Sequence, residues 1–138
     1  MIRIAQIGYG YWGPNLLRNF MSLGNTNVDV LIDSQTERLD QASKLFPTLV
    51  TSTSADDAFN NNSIDAVVIA TPVFTHYDLA KRALLAGKHV LLEKPMTATV
   101  AQAKELIDLA AQKGKLLMVD HTFLYTGAVE KMKALKDE

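Results

Sequence analysis

Cysteine is absent from this sequence, and its absence excludes disulfide bonds, thiol catalysis and cysteine-ligated metal sites. The three histidines, His76, His89 and His121, are spread along the chain without the spacing of metal ligands, so we expect no metal centre. An excess of charge of one sign is also lacking, because the formal net charge is only −1 at pH 7. Nucleic-acid binding requires a clustered basic face, so we expect no nucleic-acid partner.

Long hydrophobic runs are missing as well. No stretch approaches the ~20 apolar residues that cross a bilayer, and the amino terminus lacks the basic and apolar segments of a secretory signal. We therefore expect no membrane association and a cytoplasmic location. The chain of 138 residues, 48% hydrophobic and 21% charged, has the composition of one globular domain.

Short apolar runs alternate with longer amphipathic segments along the chain. We predict six strands, at 2–7, 28–32, 47–51, 65–70, 89–92 and 116–119, and helices at 14–23, 37–46, 56–60, 75–86, 99–112 and 127–136. Gly87 and Gly114 follow two of these helices as C-terminal caps. Because the strands are nearly continuous apolar runs, as in strands covered on both faces, the pattern predicts an α/β fold with a doubly wound parallel sheet.

A glycine-rich turn follows the first predicted strand and opens the first helix. Its sequence, Gly8-Tyr9-Gly10-Tyr11-Trp12-Gly13, has the pattern G-x-G-x-x-G. Gly8 permits a tight turn, Gly10 leaves room for a pyrophosphate, and Gly13 allows the helix to pack closely on the strand. Free N–H groups and the positive end of the helix dipole then face the anion. In this context the motif predicts a dinucleotide-binding Rossmann fold.

The second strand ends at Asp33, twenty positions after Gly13. A carboxylate at this place accepts hydrogen bonds from the hydroxyls of the adenosine ribose and repels a 2′-phosphate, so we expect NAD to be preferred, with NADP as the alternative. Arg38 could pair with that phosphate, although a solvated helix charge is the simpler interpretation. Asp33 could instead cap the second helix, a role also open to Ser34 or Thr36.

Two further loops follow strands at the edge of the sheet where open α/β proteins bind ligands. The first contains Thr71 and Pro72, and the second is Glu93-Lys94-Pro95. Pro95 keeps Lys94 in an extended conformation. A lysine on such a turn can donate to a substrate oxygen and stabilise the charge of an alkoxide during hydride transfer, so Lys94 is the candidate catalytic residue. A solvated loop lysine is the alternative.

These elements together resemble the glucose–fructose oxidoreductase, inositol dehydrogenase and rhizopine-catabolism (Gfo/Idh/MocA) family of NAD(P)-dependent enzymes. The similarity is carried by IRIAQIGYGYWG, by Asp33 and by IATPVFTHYDLAKRALLAGKHVLLEKPM. It implies that Lys94 contacts the reacting oxygen and that the Lys94–Pro95 bond is in some cases cis. It implies cofactor contacts from Gly8, Gly10, Tyr11, Trp12, Gly13, Asp33, Thr71, Pro72, Glu93, Lys94 and Pro95. His76 occupies a position that is often histidine in the family, as a helix side chain or a ligand, and His121 is a candidate substrate contact.

The resemblance also implies what lies beyond this chain. Family members carry a second domain that supplies the substrate pocket, the main acid/base residue and the oligomer interface, so residues 1–138 are expected to be the cofactor domain of a homo-oligomer. By itself this domain is expected to be inactive. The implied substrate is a small sugar-like molecule: a sugar, nucleotide sugar or cyclitol. A non-catalytic dinucleotide-binding module is an alternative, and a methyltransferase is disfavoured by the loop spacing and by Glu93-Lys94-Pro95.

Overall fold

A computed structural model of the chain describes residues 1–137. Its centre is a six-stranded parallel sheet with the strand order β3-β2-β1-β4-β5-β6. The strands are β1 (Ile2–Ile7), β2 (Thr26–Ile32), β3 (Val50–Ser52), β4 (Ala66–Ile69), β5 (His89–Glu93) and β6 (Leu117–Asp120). The order reverses between β1 and β4, and ligands of open α/β sheets bind at the carboxyl ends of the strands at such a point.

Six α-helices connect and follow the strands: α1 (Gly13–Ser22), α2 (Thr36–Leu45), α3 (Asp56–Phe59), α4 (Val73–Leu85), α5 (Val100–Lys113) and α6 (Gly127–Asp137). Gly114 caps α5 in the left-handed conformation, and Gly87, one residue beyond the cap of α4, has φ of +74°. Both glycines therefore end helices as the sequence predicts, since a left-handed residue at this place strains any side chain.

The hydrophobic core consists of two layers, one on each face of the sheet. On one face, Leu17 of α1 and Leu39 of α2 pack against Ile4 and Leu31. On the other face, side chains of α3, α4 and α5 pack against the alternate side chains of the central strands. These helix residues are Ala58, Phe59, Ala80, Ala83, Leu84, Leu106 and Ala110. The predicted doubly wound α/β fold is thus confirmed, with both faces of the central strands covered.

The ends of several elements differ from the sequence prediction. The fourth helix begins at Val73 instead of residue 75, because Pro72 is extended and serves as its N-cap. The sixth strand is shifted by one residue to Leu117–Asp120, which brings Asp120 into register with Glu93. A short 3-10 helix at Thr122–Tyr125 was not predicted, since one turn of helix has no readable hydrophobic period.

Candidate functional site: a dinucleotide cleft at the carboxyl edge of the sheet

The three glycines of the turn after β1 face different surroundings. Gly8 has φ of +103°, and a Cβ on it would lie 2.4 Å from the carbonyl oxygen of Ala70. A Cβ on Gly13 would lie 2.5 Å from the carbonyl oxygen of Gly8. At Gly10 the nearest atom to such a Cβ is Nη1 of Arg38, at 3.6 Å. The protein itself therefore requires glycine at Gly8 and Gly13, whereas the space beside Gly10 is left open for a ligand.

Gln6 supports this turn from below, a role that the sequence analysis missed. Its Nε2 donates to the carbonyl oxygens of Gly8 at 3.0 Å and Gly13 at 2.9 Å, and the side chain is fully buried. Those two bonds hold the backbone of the turn against the strand that leads into it. The available signal was a glutamine within the apolar run IRIAQI, since a buried amide needs partners.

Asp33 ties the glycine turn to the second strand. Its Oδ2 accepts a hydrogen bond of 2.7 Å from the backbone N–H of Tyr9, and its Oδ1 accepts one of 2.9 Å from the N–H of Gln35. Arg38 lies 3.4 Å from Oδ2. No side chain caps α2, whose N-cap is Gln35, so capping by Ser34 or Thr36 was wrong. Asp33 therefore has a structural role at the start of α2, and its Oδ1 keeps a further lone pair for a ligand.

A cleft of about 680 Å³ runs along the carboxyl edge of the sheet, within the roughly 300–1,000 Å³ range typical of ligand pockets. Its walls bring together nine of the predicted residues: Gly8, Gly10, Tyr11, Trp12, Asp33, Thr71, Pro72, Glu93 and Lys94. Ser34, Arg38, Phe74 and Asp78 also line it and were not predicted as site residues. Gly13 lies buried beneath the turn, and Pro95 and His121 line a second cavity instead.

The cleft fits a dinucleotide. The open space at Gly10 adjoins the amino end of α1, where unpaired backbone N–H groups favour an anion. Asp33 stands at the end of β2 for a ribose, and Glu93 and Lys94 lie at the other end of the cleft, after β5. The exposed rings of Tyr11 and Trp12 stack with their centroids 6.5 Å apart at the mouth.

Glu93 and Lys94 differ strongly in environment. The Glu93 side chain is buried, and burial raises the pKa of its carboxyl above the ordinary value, with Asp120 on the neighbouring strand adding to the rise. The N–H of Lys94 donates to Oε2 of Glu93 at 3.0 Å and opposes that rise. Lys94 itself is exposed, and the Lys94–Pro95 peptide bond is cis.

The second cavity, of about 580 Å³, adjoins the first at Lys94. Its polar members are Lys94, Asp120, His121 and Thr122, and the rest of its wall is formed by Pro95 and apolar side chains of the 3-10 helix and α6. Lys94 therefore faces both spaces. This arrangement connects the second cavity with the Glu93–Lys94 end of the first.

The part of the chain that the structure describes has neither a cluster of metal-ligand side chains nor a membrane-spanning helix. Residues 1–137 contain no cluster of three or more His, Asp or Glu side chains that could hold a metal ion. None of the described helices has the length and hydropathy needed to span a bilayer.

Comparison with known proteins gives a consistent answer. The model of the family described as "Oxidoreductase family, NAD-binding Rossmann fold" (Gfo/Idh/MocA) matches residues 2–121. The uncharacterized oxidoreductase YdgJ of Escherichia coli is 38% identical over 120 residues, covering 87% of this chain and 34% of YdgJ. The dTDP-3,4-didehydro-2,6-dideoxy-alpha-D-glucose 3-reductase of Streptomyces violaceoruber is 40% identical over 82 residues, covering 59% of this chain and 24% of that enzyme.

Among solved structures, biliverdin reductase of Synechocystis sp. PCC 6803, in complex with biliverdin and NADP+, superposes with a TM-score of 0.90 and 31% identity. The match covers 96% of this chain and 42% of that protein. The matched part of the chain thus covers about a quarter to two fifths of the length of these three proteins. The family match and the geometry of the cleft agree, and the chain belongs to the Gfo/Idh/MocA oxidoreductase family as its NAD(P)-binding Rossmann domain.

Proposed function

We propose that this chain is the cofactor domain of an enzyme that transfers a hydride between NAD and a secondary alcohol or ketone of a sugar, nucleotide sugar or cyclitol. The observation that carries the proposal is the single cleft that joins the glycine turn and Asp33 at one end to Glu93 and Lys94 at the other. The Streptomyces violaceoruber relative is a nucleotide-sugar 3-reductase, which supports the substrate class.

Different residues along the cleft bind different parts of the cofactor. Backbone N–H groups of the turn at Gly10 to Gly13 bind the pyrophosphate, and Asp33 binds the adenosine ribose. The loop that contains Thr71 and Pro72 runs under the cofactor, Glu93 lies near the nicotinamide ribose, and Tyr11 and Trp12 cover the cofactor. The carboxylate of Asp33 opposes a 2′-phosphate, so NAD is preferred; Arg38, 3.4 Å from that carboxylate, is the nearest group that could favour NADP.

Bound nicotinamide supplies the hydride acceptor or donor. The ammonium group of Lys94 is then the cation near the substrate oxygen. When an alcohol is oxidised, its carbon loses a hydride and its oxygen loses a proton; a nearby cation stabilises the alkoxide character that develops on the oxygen. His121 and Asp120 line the adjoining cavity, where the substrate would lie. His121 is proposed as a substrate contact.

Relatives more than twice as long as this chain support a further domain in the complete protein. We assign to that domain the rest of the substrate pocket, the main acid/base residue and the contacts of a homo-oligomer. On this basis the isolated cofactor domain binds NAD and turns over little or no substrate. A dinucleotide-binding module without catalysis would share the cleft but would not need a lysine at its reactive end.

The test has two stages. Titration of the protein with NADH, followed by nicotinamide fluorescence, should give saturable binding, and NAD should compete more strongly than NADP. No saturation at millimolar cofactor would overturn the proposal. The full-length protein should then reduce NAD with at least one sugar, nucleotide sugar or cyclitol in a substrate screen, whereas binding without any turnover would favour the non-catalytic module.

A further inference from the structure

His76 is a buried polar side chain near the carboxyl edge of the sheet, and the proposed hydride transfer assigns it no role. It is the fourth residue of α4 and only 1% exposed. It lines neither the cofactor cleft nor the second cavity. A direct ligand role is therefore excluded by position, although one of the residues that it contacts, Thr71, lines the cleft.

The imidazole joins the two loops that form one end of the cleft. Its Nε2 lies 2.7 Å from the carbonyl oxygen of Thr71, in the loop after β4, and its Nδ1 lies 2.9 Å from the carbonyl oxygen of Pro95, in the loop after β5. Among the hydrogen bonds found within residues 1–137, no others connect these two loops. Thr71 and Lys94, the neighbour of Pro95, both line the cleft.

The chemistry of these contacts makes the donor essential. Both partners are carbonyl oxygens, which only accept. A neutral imidazole satisfies one of them through its single N–H, and an imidazolium satisfies both. A ring without a donor would fill the same space and leave two carbonyl groups without this partner, which weakens the connection between the loops.

The two ends of the cleft are thus fastened by different side chains. Gln6 and Asp33 hold the glycine turn, where the adenosine and pyrophosphate bind. His76 holds the Thr71 and Pro95 loops at the opposite end. Because the two sets share no residue, loss of one should leave the other in place.

We propose that His76 is a positioning residue that fixes the distance between the Thr71–Pro72 loop and the Lys94–Pro95 turn, and so forms the nicotinamide end of the cleft. This inference rests on the proposed function. It predicts that the side chain contributes to the binding of the nicotinamide half of NAD and not to the binding of the adenosine half.

Two ligands separate these contributions. NAD occupies the whole cleft, whereas ADP has the adenosine and the two phosphates but neither the second ribose nor the nicotinamide. His76→Phe should weaken NAD binding by roughly tenfold, the scale of one or two lost hydrogen bonds, and should change the dissociation constant of ADP by less than about twofold. His76→Gln, which keeps an N–H donor, should weaken NAD binding by only about threefold.

His89→Gln is the matched control. His89 lies at the opposite end of β5, where its Nδ1 accepts from the N–H of Leu116 at 3.0 Å. This variant should bind both ligands as the wild type does, and a larger loss of NAD affinity in it than in His76→Phe would overturn the inference. Thermal unfolding of each variant establishes that it is folded at the temperature of the titration.

The outcomes are distinct. Equal weakening of NAD and ADP binding in His76→Phe, or no change in either, overturns the positioning role. If His76→Phe fails to fold, His76→Gln decides alone: a selective loss of NAD affinity supports the role, and an unselective loss or none overturns it. Failure of the wild type to bind either ligand would instead overturn the proposed function, and the inference with it.

Discussion

Replacement of Gly10 by valine should separate ligand binding from folding in this chain. Gly10 does not have positive φ, and a Cβ built on it meets nothing closer than the Arg38 guanidinium at 3.6 Å. The guanidinium is the end of a flexible side chain and can move. We therefore expect the free energy of unfolding to change by no more than about 1 kcal/mol.

The effect on cofactor binding should be much larger. The valine side chain would project into the space that the pyrophosphate occupies and displace it from the N–H groups at the start of α1. Hydrogen bonds to a charged group contribute roughly 1.5–3 kcal/mol each. Loss of two therefore corresponds to at least about 3 kcal/mol, or more than roughly a hundredfold in the dissociation constant of NAD.

The assay is NADH fluorescence titration paired with thermal unfolding, and the chain offers two reference positions. Gly24 has no neighbour within 4 Å of a built Cβ, so Gly24→Ala should alter neither binding nor stability. Gly13→Ala should unfold the protein or lower its stability, because its Cβ would lie 2.5 Å from the Gly8 carbonyl oxygen. A folded Gly10→Val variant with unchanged affinity would show that the turn is structural only and would refute the assignment of the cleft.

Three further predictions concern charged residues of the cleft. Asp33→Asn should narrow the ratio between the NADP and NAD dissociation constants; tighter binding of NADP by the wild type would transfer selectivity to Arg38. Lys94→Ala in the full-length enzyme should lower turnover by roughly a hundredfold or more with only a few-fold change in NAD affinity. Lys104→Ala, on the exposed surface of α5, should leave both turnover and NAD affinity unchanged. Near-normal turnover in Lys94→Ala would show that Lys94 is a solvated loop lysine. Glu93→Gln should be more stable than the wild type at neutral pH, because the raised pKa of Glu93 means that ionisation disfavours the folded state. This difference in the free energy of unfolding should be absent below the unfolded pKa of about 4.3 and should grow as the pH rises through the folded pKa. Denaturant unfolding across this pH range is the measurement, and a difference that stays constant or shrinks as the pH rises would contradict the prediction.

The fold and the family were accessible from the sequence because their signals are local. Continuous apolar runs and amphipathic segments predicted the six strands and the helices between them, and Gly87 and Gly114 predicted two helix ends. The glycine turn together with Glu93-Lys94-Pro95 identified the family that the comparisons confirm. Each of these signals depends on a few neighbouring residues, so no knowledge of the packing was required.

Residue roles within the site stay predictions, although the structure brings most of the named residues to one cleft. Pro95 was predicted as a cofactor contact but lines the second cavity, together with His121, the candidate substrate contact. Arg38 was set aside as a helix charge, yet it lies within reach of both Asp33 and the space at Gly10.

The sequence by itself determined the order of elements, the phosphate turn and the two loops that follow β4 and β5. Only the tertiary structure decided which side chains fasten those parts together. The parallel sheet brings backbone groups close together, and three side chains form hydrogen bonds with them. They are Gln6 beneath the glycine turn, Asp33 at the N–H of Tyr9, and His76 between Thr71 and Pro95. Such pairings depend on the register of strands distant in sequence, and a single sequence carries no local signal of that register.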